Sequence, residues 1–456
     1  MNTNSKDFNE LGTKGVGRLL WQYALPAIMA MTASSLYNIV DGIFIGQGVG
    51  EAAIMGLALT TPLMSLTAAF GAMVGVGGST LMSIRLGQRD YRTAKHILGN
   101  VVIMNCLIGL SLGLGLQLFL EPILLFFGAS SVTLPYAYDF MTIILVGNMV
   151  THLYLGLNAL LRSTGRPQMA MYATLGTVLI NLILAPIFIF VMDMGIQGAA
   201  WATVGAQFLM LCWELTLFVK SDQLVCFSRD IMHLEGKIVK DSLIIGLPQF
   251  LVNACACLLA VIVTRSMSSY GGDIAVGAFG ISNRLVMFVV LVVIGLNQGM
   301  QPIAGFNYGA GRNDRLLSVL KMTIAVATVI TLSGFLCAQF FAEACVALFV
   351  KDAPELMAES AHGLRLTTLI FPLVGMQIVS TAFFQSIGKA GQSIFLSLTR
   401  QLFFLLPGLL ILPYFFERQV DGVWYAMPIS DALSSVLSLI LLTLQIRKLK
   451  TAHPSL

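Results

Sequence analysis

Residues 37–58, YNIVDGIFIGQGVGEAAIMGLA, place one carboxylate, Asp41, inside an apolar run that begins near Leu19 and carries no other charge as far as Gly46. A run of that length crosses a hydrocarbon core of about 30 Å at roughly 1.5 Å per residue of helix. Runs of the same kind fill the remaining sequence, with extents 19–45, 53–84, 97–120, 134–160, 168–192, 198–219, 242–265, 274–306, 322–349, 362–386, 393–415 and 423–446. The composition agrees. Of 456 residues 57% are hydrophobic and 11% charged, and the mean hydropathy is +0.85, against roughly a quarter charged in a soluble domain. The expectation is an all-α polytopic membrane protein with twelve transmembrane helices.

Lys and Arg orient it. Assigning the N-terminal arm (Lys6, Lys14, Arg18), the connections near 85–95, 162–166, 220–240 and 312–321, Lys389 and the C-terminal tail to one face collects 20 of the 26 basic residues. Arg265, Lys351 and Arg418 fall on the other face, so both termini are expected in the cytoplasm. The formal charge of +4 is accounted for by this topology and calls for no nucleic-acid partner. The first run has a basic arm and no small-residue cleavage site, as a retained span would. The seven cysteines show neither zinc-ligand spacing nor a disulfide framework, so no metal site and no cofactor are expected.

The chain repeats itself at an offset of about 222. YALPAIMA aligns with IGLPQFLV (Pro26 with Pro248), AAIMG at 52–56 with DIAVG at 273–277, ALLRSTGRPQ with AFFQSIGKAGQ (Gly165 with Gly388), and GAAWA at 198–202 with GVWYA at 422–426. Six spans per half give two like-oriented six-helix lobes, 1–219 and 241–456, joined by a cytoplasmic linker at 220–240. Such lobes suit alternating access around a site between them. No G-x-x-x-x-G-K-[ST] loop occurs and no loop could house a nucleotide-binding domain, so an ion gradient is the expected energy source. No H-E-x-x-H or aspartate-rich motif points to an enzyme. Gly71/Gly75 and Gly109/Gly113, at G-x-x-x-G spacing, are expected to let helices approach closely.

An acid at the centre of a span costs roughly 2.5–3.5 kcal/mol on insertion scales, which makes Asp41 a candidate functional group by default. Ser34, Asn38 and Asp41 recur at i, i+4 and i+7, with Tyr37 three residues from Ser34, so a polar stripe runs along the first span. Asp431 is the second acid well inside a span, and Arg284 and Arg400 are the candidates to pair with it or to contact substrate. His152 is read either as a proton relay or as a hydrogen-bonded core histidine. Glu214, Glu343 and Asp139, near span ends, are expected to be wet.

The stretches at 37–58, RLGQRDYRTA (85–94), LRSTGRPQMA (161–170), NLILAPIFIF (181–190), MGIQGAAWATV (194–204), GFNYGAGRNDR (305–315) and QSIGKAGQS (385–393) together resemble the multidrug and toxic compound extrusion (MATE) family, closest to its MepA-like bacterial branch. The resemblance spans essentially the whole chain. It implies a multi-pass transporter of the bacterial cytoplasmic membrane, expected as a monomer, that exports amphipathic, commonly cationic compounds against inward proton or sodium movement. The ion ligands it implies fall on Asp41, Asn181 and Thr203. A fourth position, an Asp in the family's LDP motif, reads Leu184-Ala185-Pro186 here. The acids that the NorM-like branch carries on the seventh and tenth spans are absent from LPQFLVNACAC (247–257) and FPLVGMQIVSTAF (371–383). Sodium wants several hard oxygen ligands, whereas a proton needs one titratable group, so proton coupling is favoured over sodium. The alternative is a lipid-linked oligosaccharide flippase of the same superfamily, which would need basic residues for pyrophosphate.

Overall fold

A computed structural model describes residues 10–219, 225–350 and 353–451. Lys6, Lys351 and positions 220–224 of the expected linker lie outside the described residues. Among those described the chain forms helices and no strand, the arrangement that keeps every backbone polar group paired in hydrocarbon.

Nine described helices are long and apolar enough to span: Val16–Gly48, Glu51–Gly87, Tyr91–Leu118, Pro167–Val191, Gly195–Val219, Gly236–Gly309, Asn313–Phe340, Ala390–Phe415 and Gln419–Thr451. Two bent pairs add a span each, Leu134–Val146 with Asn148–Ser163 at 55° and Pro354–Thr367 with Phe371–Ser386 at 56°. The 74-residue helix would be about 110 Å long if straight, more than three hydrocarbon thicknesses. It turns at Gly272, where φ 65° and ψ −161° are open essentially to glycine alone, and so supplies the seventh and eighth spans. The crossing segments among the described residues number twelve.

The ninth and tenth spans differ at their ends from the hydropathy reading. The ninth stops at Phe340, and the apolar stretch after it is a separate short helix, Ala342–Val346. The tenth begins at Pro354 and bends before Phe371. Hydropathy merges a short apolar helix with the span before it and discounts the polar first turns of a spanning helix.

The repeat is written in the backbone. Positive φ occurs at Gly50 and Gly272, at Arg89 and Gly311, and at Gly165 and Gly388, three pairs at offsets of 222 or 223. Close approaches repeat as well. A Cβ on Gly77 would strike the Ser242 carbonyl, and one on Gly299 would come within 2.5 Å of the Ala24 nitrogen. Gly71 and Gly75 seat His152 and Gly156 of the fourth span, while Gly109 and Gly113 seat Met149 and Leu145. Both G-x-x-x-G pairs are therefore helix-packing surfaces.

Packing divides the described residues into two compact units. One comprises 10–14 and 29–250, the other 15–28 and 251–451. The first unit thus includes the opening turns of the seventh span, and the second unit the opening turns of the first span. The apolar core of the first unit gathers Ile45, Leu63, Phe140, Ala185, Ile189 and Ala199. That of the second gathers Leu259, Met267, Ala278, Leu409 and Trp424.

Candidate functional site

The candidate site lies in the first unit, on the first, fifth and sixth spans. Asp41 is 9% exposed, and its Oδ1 has no hydrogen-bond partner among the described residues. One turn earlier on the same face, the Tyr37 hydroxyl is 3.2 Å from Thr203 Oγ1, and Asp41 is the charge that acts on it. The Asn181 amide donates to the same Thr203 oxygen at 3.1 Å, and Thr203 donates its own proton to the Ala199 carbonyl at 3.1 Å. A hydroxyl has one proton and two lone pairs, so Tyr37 must be the donor to Thr203. The threonine is then saturated, and it ties three spans together.

What remains is a surplus of acceptors. Asp41 Oδ1 and Asn181 Oδ1 are both buried without a donor among the described residues. A buried acceptor left unpaired costs about 1–3 kcal/mol, more when charged. A proton on Asp41 removes the charge and converts one oxygen into a donor. Ala185, the position where the resemblance implies an acid, is fully buried in the apolar cluster with Ile45 and Ile189.

The structure brings Tyr37, Asn181 and Thr203 into hydrogen bonding, with Asp41 adjacent. Ser34 is half-buried and Asn38 exposed. Both share the helix with Asp41 and make no hydrogen bond to this cluster. In the second unit Arg400 Nε donates to Asp431 Oδ1 at 2.7 Å. The carbonyl of Arg400 accepts from Ser430 Oγ at 2.8 Å, which the wide turn Thr399–Leu405 leaves accessible. Arg284 is exposed and has no ion-pair partner among the described residues. His152 is fully buried, with Nε2 2.9 Å from the Thr67 carbonyl.

One expectation is corrected. Glu214 is not wet; its exposure is 0%. It accepts from Asn158 Nδ2 at 3.1 Å, and Asn158 Oδ1 in turn accepts from Arg162 Nη1 at 2.6 Å. Tyr154 and Arg162 are its electrostatic neighbours, and Glu214 Oε2 has no partner among the described residues. Tyr154, Asn158 and Arg162 fall four apart on the fourth span, which is the signal in the sequence that could have found this cluster. Glu343 fits the expectation, exposed and 3.5 Å from Arg365.

The model of the MatE family matches the chain twice, over residues 26–187 and 248–409. The chain is 25% identical to the multidrug export protein MepA of Staphylococcus haemolyticus (strain JCSC1435) over 422 residues, 92% of each chain. It is also 25% identical to MepA of Staphylococcus aureus (strain MSSA476), over 94% of each. Among solved structures, a ligand complex of the MATE multidrug transporter DinF-BH is similar with a TM-score of 0.87 and 34% identity, covering 95% of this chain and 96% of that one. A MOP-superfamily transporter from Pyrococcus furiosus is similar in fold with a TM-score of 0.91 at 23% identity, covering 97% and 98%.

Proposed function

The chain belongs to the MatE family of multidrug efflux transporters, and on that premise we propose that it is a proton-coupled antiporter whose coupling group is Asp41. It exports amphipathic organic cations by alternating access, as a monomer in the bacterial cytoplasmic membrane with both termini in the cytoplasm. The observation that carries the proposal is the buried Asp41 oxygen without a partner, on a stripe whose neighbouring hydroxyls and amide are already committed to one another. Uptake of a proton from outside removes a charge from a span, which alone is worth several kcal/mol of conformational preference. Drug release follows that change of state.

Two features favour the proton over sodium. The site has one carboxylate, since Ala185 is apolar core, and the Thr203 oxygen is saturated by protein donors, which leaves few hard ligands for a metal ion. The flippase alternative calls for basic groups free to hold pyrophosphate; Arg400 is committed to Asp431, which leaves it one of the two candidate arginines, Arg284.

The test is export of ethidium, a fluorescent amphipathic cation, from proteoliposomes under an imposed pH gradient. Asp41→Asn should abolish gradient-driven export, while fluorescence anisotropy still detects ethidium binding to the folded variant. Export at the unmodified rate would overturn the assignment.

A further inference from the structure

We propose that His96, His233 and Glu235 form a binding site for a divalent transition metal of the zinc class, which fastens the end of the 220–240 connection to the third span. His96 lies in the second turn of the helix Tyr91–Leu118. His233 and Glu235 immediately precede the helix that starts at Gly236.

One ligand atom from each of the three lies within 4.8 Å of both others. His233 Nε2 is 3.4 Å from Glu235 Oε1, and the same oxygen contacts His96 Nδ1. Nitrogen and oxygen donors at about 2.0–2.2 Å from a tetrahedral metal stand roughly 3.4 Å apart, which is the His233–Glu235 spacing, and the His96 nitrogen lies against the same oxygen. Three protein ligands leave a fourth position for water. Two imidazoles and a carboxylate select zinc and its transition-metal neighbours over magnesium or calcium, which want oxygen shells. Side-chain exposures of 15%, 55% and 38% for His96, His233 and Glu235 leave the cluster open to dissolved ions.

A second, independent observation concerns positioning. Asn100 is fully buried, and its one amide holds the backbone of all three residues. Its Nδ2 donates to the His96 carbonyl at 2.8 Å and to the His233 carbonyl at 3.2 Å. Its Oδ1 accepts from the Glu235 nitrogen at 2.8 Å. The two imidazole rings meet edge to face, 5.1 Å between centroids. Gly99 sits directly under the Ile231 carbonyl, where any Cβ would collide. The Asn100 amide and the Gly99 contact, neither of which uses a candidate ligand atom, thus seat the connection on the third span and preorganise the ligands, which is the usual task of outer-shell groups at metal sites.

The site is separate from Asp41, and its test reads binding alone, whatever ion drives transport. Tag-free, chelator-stripped full-length protein in detergent is titrated with Zn2+ in competition with a chromophoric chelator. The expected result is one site per chain, at least about 100-fold tighter for Zn2+ than for Mg2+. His233→Ala, on an exposed position outside the helices, should weaken binding at least about tenfold, as should Glu235→Gln. Asn100→Ala should weaken it by about 10- to 100-fold through loss of positioning. His362→Ala, which removes the imidazole that meets Asp421, should change nothing. Undiminished affinity in a His96→Ala/His233→Ala double variant, or equal affinity for Mg2+, would overturn the proposal and leave the cluster as a histidine–carboxylate hydrogen-bond network.

Discussion

Asp41 is legible from sequence because nothing else in its run is charged, and the cost of a mid-span acid is high enough to demand a reason. Its company was only partly legible. Tyr37 reaches Thr203 while Asn38 stays exposed, a difference of one helical position that turns on which neighbours pack beside the first span. Thr203 carries the strongest prediction at this scale. Thr203→Val strands the Tyr37 hydroxyl and the Asn181 amide without their acceptor, and stability should fall by about 1–3 kcal/mol, read by denaturant unfolding in detergent. Glu214 was misread because its place near the end of a span says nothing about which way the side chain turns. Here it turns inward to Asn158 and its electrostatic partner Arg162. Glu214→Ala removes the acceptor of the buried Asn158 amide and the acid facing the half-buried Arg162, and should cost about 1–3 kcal/mol. Glu214→Gln keeps an acceptor for Asn158 and should cost markedly less. Equal losses in the two variants would contradict the cluster as described.

Helices were readable as spans because hydropathy reports what a segment of about 20 residues can cross. Their breaks were less so. The bend between Leu134–Val146 and Asn148–Ser163 falls at Gly147, where a Cβ would meet the Val204 side chain; packing against the sixth span decides it, and no run of residues announces it. The turn at Gly272 has a different origin, a positive-φ glycine with open space around it, matched by Gly50, and becomes visible once the chain is laid upon itself. Helix starts follow local rules. Asp90 caps the third span by accepting from the Thr93 nitrogen at 3.1 Å. The Thr93 side chain above all, with the Thr93 N–H and the nearby Arg85 and Arg92 adding to it, holds the Asp90 carboxyl below the usual range for aspartate. Asp90→Ala should cost about 0.5–2 kcal/mol. Because the folded-state value is the depressed one, the contribution is present at neutral pH and is lost as pH falls through the acid range below about 4. Unfolding midpoints compared at pH 7 and at acid pH check the sign.

Across the whole molecule, the offset of 222 recurs in motif order, in positive-φ positions, and in the two matches to the MatE model. Duplication gives each unit its own core and its own polar centre, Asp41 with Asn181 and Thr203 in one, Arg400 with Asp431 in the other. The two centres have diverged in kind. In the second, the acid is met by an arginine at 2.7 Å; in the first, Asp41 Oδ1 meets no donor among the described residues. An acid held by a fixed cation is poorly suited to cycling a proton, and an unpartnered one is well suited. Groups brought together from distant sequence, such as His96 and Glu235 at a separation of 139, are invisible to any local pattern and emerge only from the fold.

Asp41 alone is proposed to couple export to protons. That coupling is tested most directly in proteoliposomes loaded with ethidium, with a pH gradient and a sodium gradient imposed one at a time, for the unmodified protein and for Asp41→Asn. Export is expected under the pH gradient from the unmodified protein only, and under the sodium gradient from neither. Export driven by sodium alone, or pH-driven export that survives in Asp41→Asn, would contradict it.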